Sequence, residues 1–269
     1  MGAAHAQADQ RIRGGGVAVD RLTPLLSFES VSKRYPDGSR ELVVLDRVSF
    51  EIPADVFVGI FGTPRSGKST LLRLAAGIEA PSSGTVRFDG RDLASMSAVE
   101  RDRLLRRDVV FMSTQDWSPT PTERVIDHVA LSLGSDGPAL REARHRARRV
   151  LARAGITSCA DELARSLSLV DRSRVVLARA LIREPSVLLV DEPAIIPSLS
   201  ERDQFCALLR SVAEEQSVTL VVASEEMGPL HGARVLFSIG DGELCSTQER
   251  ATVVPLPRRH VAGAERSGR

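Results

Sequence analysis

Short β-branched runs and stretches of helical period alternate along most of the chain. Val56–Phe61 is a continuous apolar run closed by Gly62, the pattern of a strand buried on both faces. Val109–Met112, Val187–Val190, Val218–Ala223 and Val235–Ile239 read as further strands. So do Leu26–Lys33 and Val43–Ile52, the latter broken at Asp46–Arg47, and Thr85–Phe88, which runs into an Asp89–Gly90 turn. Helical period appears over Lys68–Gly77, Thr122–Leu133, Leu140–Ala154, Arg172–Ile182 and Glu201–Glu215, with Gly77 as a C-terminal stop. Strands alternating with helices predict an α/β fold around a mostly parallel sheet, and the stretch at about 116–168 reads as an inserted helical subdomain. Residues 1–24 and 251–269 are polar and aperiodic, so they read as flexible tails flanking one domain at 25–250.

Composition mainly excludes. No run approaches the ~20 apolar residues that a membrane span needs, and the N-terminal stretch has no apolar region of the signal-peptide kind. A role at a membrane would therefore pass through a partner. The net charge of +1 gives no electrostatic case for nucleic acid, and none is expected as a partner. Cys159, Cys206 and Cys245 have no metal-type spacing and read as reduced thiols of a cytosolic protein, packed as small buried hydrophobes. The basic stretch Arg141–Arg153 reads as a solvated helix face, and Trp117 either as loop packing or as part of a docking surface. Of 36 basic residues only Lys33 and Lys68 are lysines. A chain so committed to arginine keeps a compact ammonium at 68 for a reason.

That reason is the surrounding motif. Gly62, Thr63, Pro64, Arg65, Ser66, Gly67, Lys68 and Ser69 fit G-x-x-x-x-G-K-[ST], after a buried strand and at the start of a helix. Glycines let backbone N–H groups turn inward as an anion nest, where the helix dipole also favours negative charge. Lys68 would reach the β- and γ-phosphates of a nucleoside triphosphate, Ser69 would offer its hydroxyl to Mg²⁺, and Thr70 would lie near the α-phosphate. The expected ligand is Mg-ATP. Val187–Val190 ends in Asp191 and Glu192, which places one carboxylate for Mg²⁺ and the next to polarise an attacking water.

With these landmarks the sequence resembles the nucleotide-binding domains of ABC transporters over nearly all of residues 26–246. The stretch from Gly59 to Leu93 matches the phosphate loop and the segment after it, and Ala178–Pro193 matches the run from the signature helix into the second carboxylate motif. The resemblance implies an ABC-type P-loop fold with a mostly parallel core sheet, an antiparallel β subdomain and an inserted helical subdomain. It implies that Tyr35 stacks on adenine and that Gln115 touches the metal and couples to a membrane domain. The phrase from Pro121 to Leu131 looks most like the lipoprotein-release and macrolide-export branch.

Departures cluster at turnover groups. Arg65 stands where the family has a small residue. The signature LSGGQ is here Leu167, Ser168, Leu169, Val170 and Asp171, and the segment Ile196, Pro197, Ser198, Leu199 lacks the expected aspartate. Glu225 stands where a switch histidine would donate to the γ-phosphate. Losing such a donor costs roughly 10²–10³ in rate. The resemblance thus implies an ATPase-family subunit working with transmembrane permease subunits on the cytoplasmic face of the membrane. It would act as a homodimer or, given the altered signature, a heterodimer with another ABC ATPase. The alternative is an ATP-binding regulatory or assembly module with little hydrolysis.

Overall fold

The computed structural model describes residues 24–38, 40–113, 117, 120, 122–134, 137–193 and 198–246. The chain opens with β1 (Leu26–Asp37), β2 (Arg40–Ile52) and β3 (Phe57–Gly62), which leads into α1 (Lys68–Ala75). There follow β4 (Ser83–Phe88), β5 (Arg91–Asp92), α2 (Ala98–Arg107), β6 (Val109–Ser113), α3 (Val125–Ala130) and α4 (Leu140–Arg153). The remainder is α5 (Leu169–Leu181), β7 (Val187–Asp191), α6 (Leu199–Gln216), β8 (Thr219–Ser224), β9 (Val235–Gly240) and β10 (Glu243–Ser246).

These strands form a six-stranded sheet in the order β10-β9-β3-β8-β7-β6 and a four-stranded sheet in the order β2-β1-β4-β5. The larger sheet is parallel except at β10, and the smaller is antiparallel throughout. Strand β7 shows why its apolar run does not alternate: Leu188 and Val190 enter a core shared with α3, α4, α5 and α6, whereas Val187 and Leu189 enter one shared with α1 and the antiparallel sheet. Both faces are covered, so every position is apolar. Helix α1 lies in that second core with Leu71, Leu72 and Leu74 each 1% exposed. A helix of eight residues is too short to persist alone. Three buried leucines at about 1.5–3 kcal/mol each hold it, and with it the loop at its N-terminus.

Several boundaries differ from the sequence reading. β2 is not broken at Asp46–Arg47: a bulge with Arg47 at φ 48° carries the strand through, where the pairing passes from Val31↔Val48 to Lys33↔Leu45. β1 runs on to Asp37 and so carries Tyr35 on a strand. α3 starts at Val125 rather than Thr122, and α5 at Leu169 rather than Arg172. Helix α2 went unread although Ser97 and Glu100 form a capping box visible in the spacing. The β9–β10 hairpin was missed too, despite its Asp241–Gly242 turn with φ of 50° and 81°. Of the cysteines only Cys206 is buried; Cys159 is half-buried and Cys245 exposed. No helix among the described residues is long and apolar enough to cross a membrane.

Candidate functional site

Strands β3, β8 and β7 are parallel neighbours, so the residues that follow them meet at one edge of the sheet. Phe61 pairs with Ser224 and Asp191 with Ala223, which sets Gly62, the last residue of β3, beside Glu225 and Glu192, the residues that follow β8 and β7. Ligands of open α/β sheets bind at this edge. Both glycines of the loop are required by space or conformation. A Cβ on Gly62 would lie 2.5 Å from Ser66 Oγ and 2.7 Å from the Ile239 carbonyl oxygen. Gly67 sits at φ 103°, where a side chain would be strained and its Cβ would lie 3.0 Å from the Val44 carbonyl oxygen. Arg65 adopts φ 64° without glycine's freedom, a local strain in the loop. Thr63, Pro64 and Arg65 are exposed, while Gly67, Lys68 and Thr70 are buried.

Helix α1 begins with no side-chain cap and no acidic residue in its first turn. Its N-terminal N–H groups and dipole therefore face the loop unanswered by any carboxylate of the helix itself. Lys68 stands in the middle. Its Nζ donates to the Gly62 and Thr63 carbonyls at 2.9 Å each, and Oε1 of both Glu192 and Glu225 lies 3.5 Å away. Its side chain is only 5% exposed, so this ammonium is desolvated and held by the loop and by two acids from neighbouring strand ends.

Three buried oxygens at the edge have no hydrogen-bond partner: Ser66 Oγ, Asp191 Oδ1 and Glu192 Oε1. Unbonded Ser66 and Asp191 oxygens, beside a Glu192 Oε1 that faces only the Lys68 ammonium and next to an uncapped helix N-terminus, are what an anion with a hard cation would satisfy, so the donor set fits a magnesium-bound phosphate ester. Glu192 also sits at φ 48°, with its N–H bonded to the Ala223 carbonyl at 3.0 Å. Burial pushes its carboxyl above the usual range and the Glu225 charge adds to this, while an N–H bond from Glu225 and the Lys68 charge oppose it. A carboxyl raised in this way is a stronger base than an ordinary glutamate.

Tyr35 is half-buried near α1, and its hydroxyl donates to Glu79 Oε2. Lys33 lies 4.9 Å from the ring centroid, pairs with Glu79 at 3.2 Å, and donates to the Ala80 carbonyl. Burial and the Glu79 bond raise the Tyr35 hydroxyl. Burial alone would raise Glu79, but its bonds from Tyr35 and Lys33 hold it below the usual carboxylate range. A base stacked on Tyr35 would thus share the ring with Lys33. Each lysine of this arginine-rich chain lies against a candidate site residue, Lys68 within the loop and Lys33 beside Tyr35. Sequence reading singled out Lys68 alone, although lysine scarcity pointed equally to Lys33; nothing in the sequence pointed to Glu79.

Ser168 caps α5 by accepting the Asp171 N–H at 3.1 Å, and its hydroxyl donates to Asp171 Oδ2 at 2.7 Å. Leu169 is 46% exposed, and Val170 packs against the helical core. The Ser-x-x-Asp spacing could have revealed this cap. Trp117 packs edge-on to His128 with centroids 5.2 Å apart, and the Arg172 guanidinium lies over its ring at 5.9 Å. Gln115, Ile196 and Pro197 fall outside the described residues; Ser198 caps α6.

Comparison with known proteins agrees with this geometry. The lipoprotein-releasing system ATP-binding protein LolD of Oleidesulfovibrio alaskensis is 34% identical over 208 residues, covering 77% of this chain and 89% of its own length. The macrolide export ATP-binding/permease protein MacB of Syntrophobacter fumaroxidans is 30% identical over 245 residues, 90% of this chain, but this chain spans only 34% of that relative. Among solved structures, a dimeric ATP-binding cassette in a post-hydrolysis state bound to ADP and Pi superposes with a TM-score of 0.75 at 24% identity, over 84% of this chain and 100% of that one, a likeness of fold. The sequence profile of the family described as "ABC transporter" matches residues 45–195, more than half of the chain, and with a phosphate loop, paired strand-end carboxylates and two sheets of this topology in place, the protein belongs to the ABC transporter family.

Proposed function

We propose that this chain is the ATP-binding subunit of a transporter, coupling nucleotide binding and slow hydrolysis to substrate movement by transmembrane permease partners. The observation that carries the reading is the bare, acid-free N-terminus of α1 behind a Gly62–Thr70 loop, with Lys68 buried at its mouth. In this reading residues 25–250 form one nucleotide-binding domain with a helical subdomain at about 116–168. The loop amides and Lys68 bind the phosphates, Tyr35 takes the base, and Ser69, Gln115 and Asp191 hold Mg²⁺. When bound, the cation neutralises phosphate charge and orients the leaving group. Glu192 accepts a proton from the attacking water.

Two features support slow turnover. Glu225 presents a carboxylate where a donor would serve, and the N-terminus of α5 is already capped by the Ser168 hydroxyl. A heterodimer follows, in which a partner ATPase supplies an intact signature across this chain's nucleotide, on the cytoplasmic face of a membrane. The same two features favour a second reading, a module that binds ATP for assembly or regulation without turning it over.

Mg-ATP binding and phosphate release by the purified chain test both readings, with Lys68→Ala and Glu225→His alongside. The expected outcome is binding that Lys68→Ala abolishes, release near background, and a rise of about tenfold or more in Glu225→His, since a restored donor is worth up to 10²–10³. Brisk release by the unaltered chain would overturn the slow-site reading. Absence of binding would overturn the function altogether.

A further inference from the structure

Strand β8 runs into two successive acids that are held in different ways. Glu226 is gripped by Arg202 of α6, itself 6% exposed, through bonds of 2.7 and 3.0 Å, and its N–H donates to Ser224 Oγ at 3.1 Å. Glu225 donates its own N–H to the Glu192 carboxylate and brings Oε1 to 3.5 Å from Lys68 Nζ. Arg202 thus pins the segment from the helix side, and the segment sets a carboxylate against the ammonium of the phosphate loop. Lys68 meets Gly62, Thr63, Glu192 and Glu225 together.

In a loop of this kind the backbone amides cradle the phosphates nearest the nucleoside, and the lysine serves the terminal ones. A carboxylate fixed in contact with that lysine competes for it and repels whatever approaches it carrying negative charge. The diphosphate has less to lose from this than the triphosphate. We propose that Glu225 sets the nucleotide preference of the site, so that the loop takes a nucleoside diphosphate ahead of the triphosphate, with Arg202 acting as a positioning residue through Glu226. This rests on the nucleotide-binding reading of Gly62–Thr70. Because the Glu225 side chain is 42% exposed, solvent screens it, and the effect is a preference rather than an exclusion.

The test is calorimetric titration of the chain with ADP and with a non-hydrolysable ATP analogue at fixed Mg²⁺, repeated on Glu225→Gln and Arg202→Met. The unaltered chain should bind ADP about tenfold or more tightly than the analogue, a difference of about 1.4 kcal/mol. Glu225→Gln, which keeps the shape and removes the charge at a half-exposed position, should bring the two affinities within about threefold by strengthening the analogue. Arg202→Met should shift the ratio the same way, whereas a merely structural role for Arg202 would lower both affinities together. Equal affinities in the unaltered chain, or a ratio that Glu225→Gln leaves unmoved, would overturn the proposal while leaving nucleotide binding intact. A chain that binds neither nucleotide would sink the underlying reading as well.

Discussion

Two helix N-termini in this molecule share a frame and differ in what answers it. Helix α1 follows Gly67, has no side-chain cap, and carries Thr70 as its third residue. Helix α5 follows Ser168, whose hydroxyl accepts the N–H of Asp171, the third residue of that helix. Both begin with unpaired N–H groups and the positive end of a dipole. At α5 the chain supplies its own cap, the Ser168 hydroxyl, held in turn by the Asp171 carboxylate. At α1 it withholds one, and the terminus stays free to hold a phosphate. On the proposed reading, the chain keeps the first terminus for a nucleotide and caps the second with its own side chains.

The largest effect should come from sealing α1 in the same manner. Thr70→Asp puts a carboxylate at the position equivalent to Asp171, on a side chain that is 8% exposed. Nucleotide affinity is expected to fall by about a hundredfold or more, as for a like charge held close in a desolvated site. Helix content by circular dichroism should be unchanged, because an acid in the first turn favours a helix. Unimpaired binding would break the comparison.

Opening α5 is the converse. The combined change Leu169→Gly, Val170→Gly and Asp171→Gln should permit nucleotide-dependent self-association, read by sedimentation. It should lower stability by about 2 kcal/mol, from two glycines at about 1 kcal/mol each, visible as a lower Tm. A chain that stays monomeric with nucleotide would mean that the sealed terminus is not what limits assembly.

The smallest effect is electrostatic and belongs to the α1 side. Burial raises Glu192, so between its ordinary pKa of 4.5 and the raised value the folded state binds more protons than the unfolded chain. Stability from this group therefore falls as pH rises through that window. Glu192→Gln should gain Tm relative to the unaltered chain at pH 7.5 but not near pH 4.5. A difference independent of pH would show that Glu192 carries no such strain.

What could be read from the sequence was whatever short-range spacing encodes. Strands β3 and β7 declared themselves because burial on both faces leaves no polar positions, and the phosphate loop because its glycines and Lys68 fall within eight residues. Asp191 and Glu192 were legible from their place at a strand end. Tertiary structure alone decided the rest. Lys68 and Glu225 are 157 residues apart, Tyr35 and Glu79 are 44, and Arg202 and Glu226 are 24. No periodicity links such pairs, because the order of strands in the sheet, not their order in the chain, makes β3 and β8 neighbours and sets their following residues against each other. The sequence determined that a phosphate loop exists and, through the family resemblance, that Glu225 takes the switch position; only the sheet determined that its carboxylate comes to 3.5 Å from Lys68.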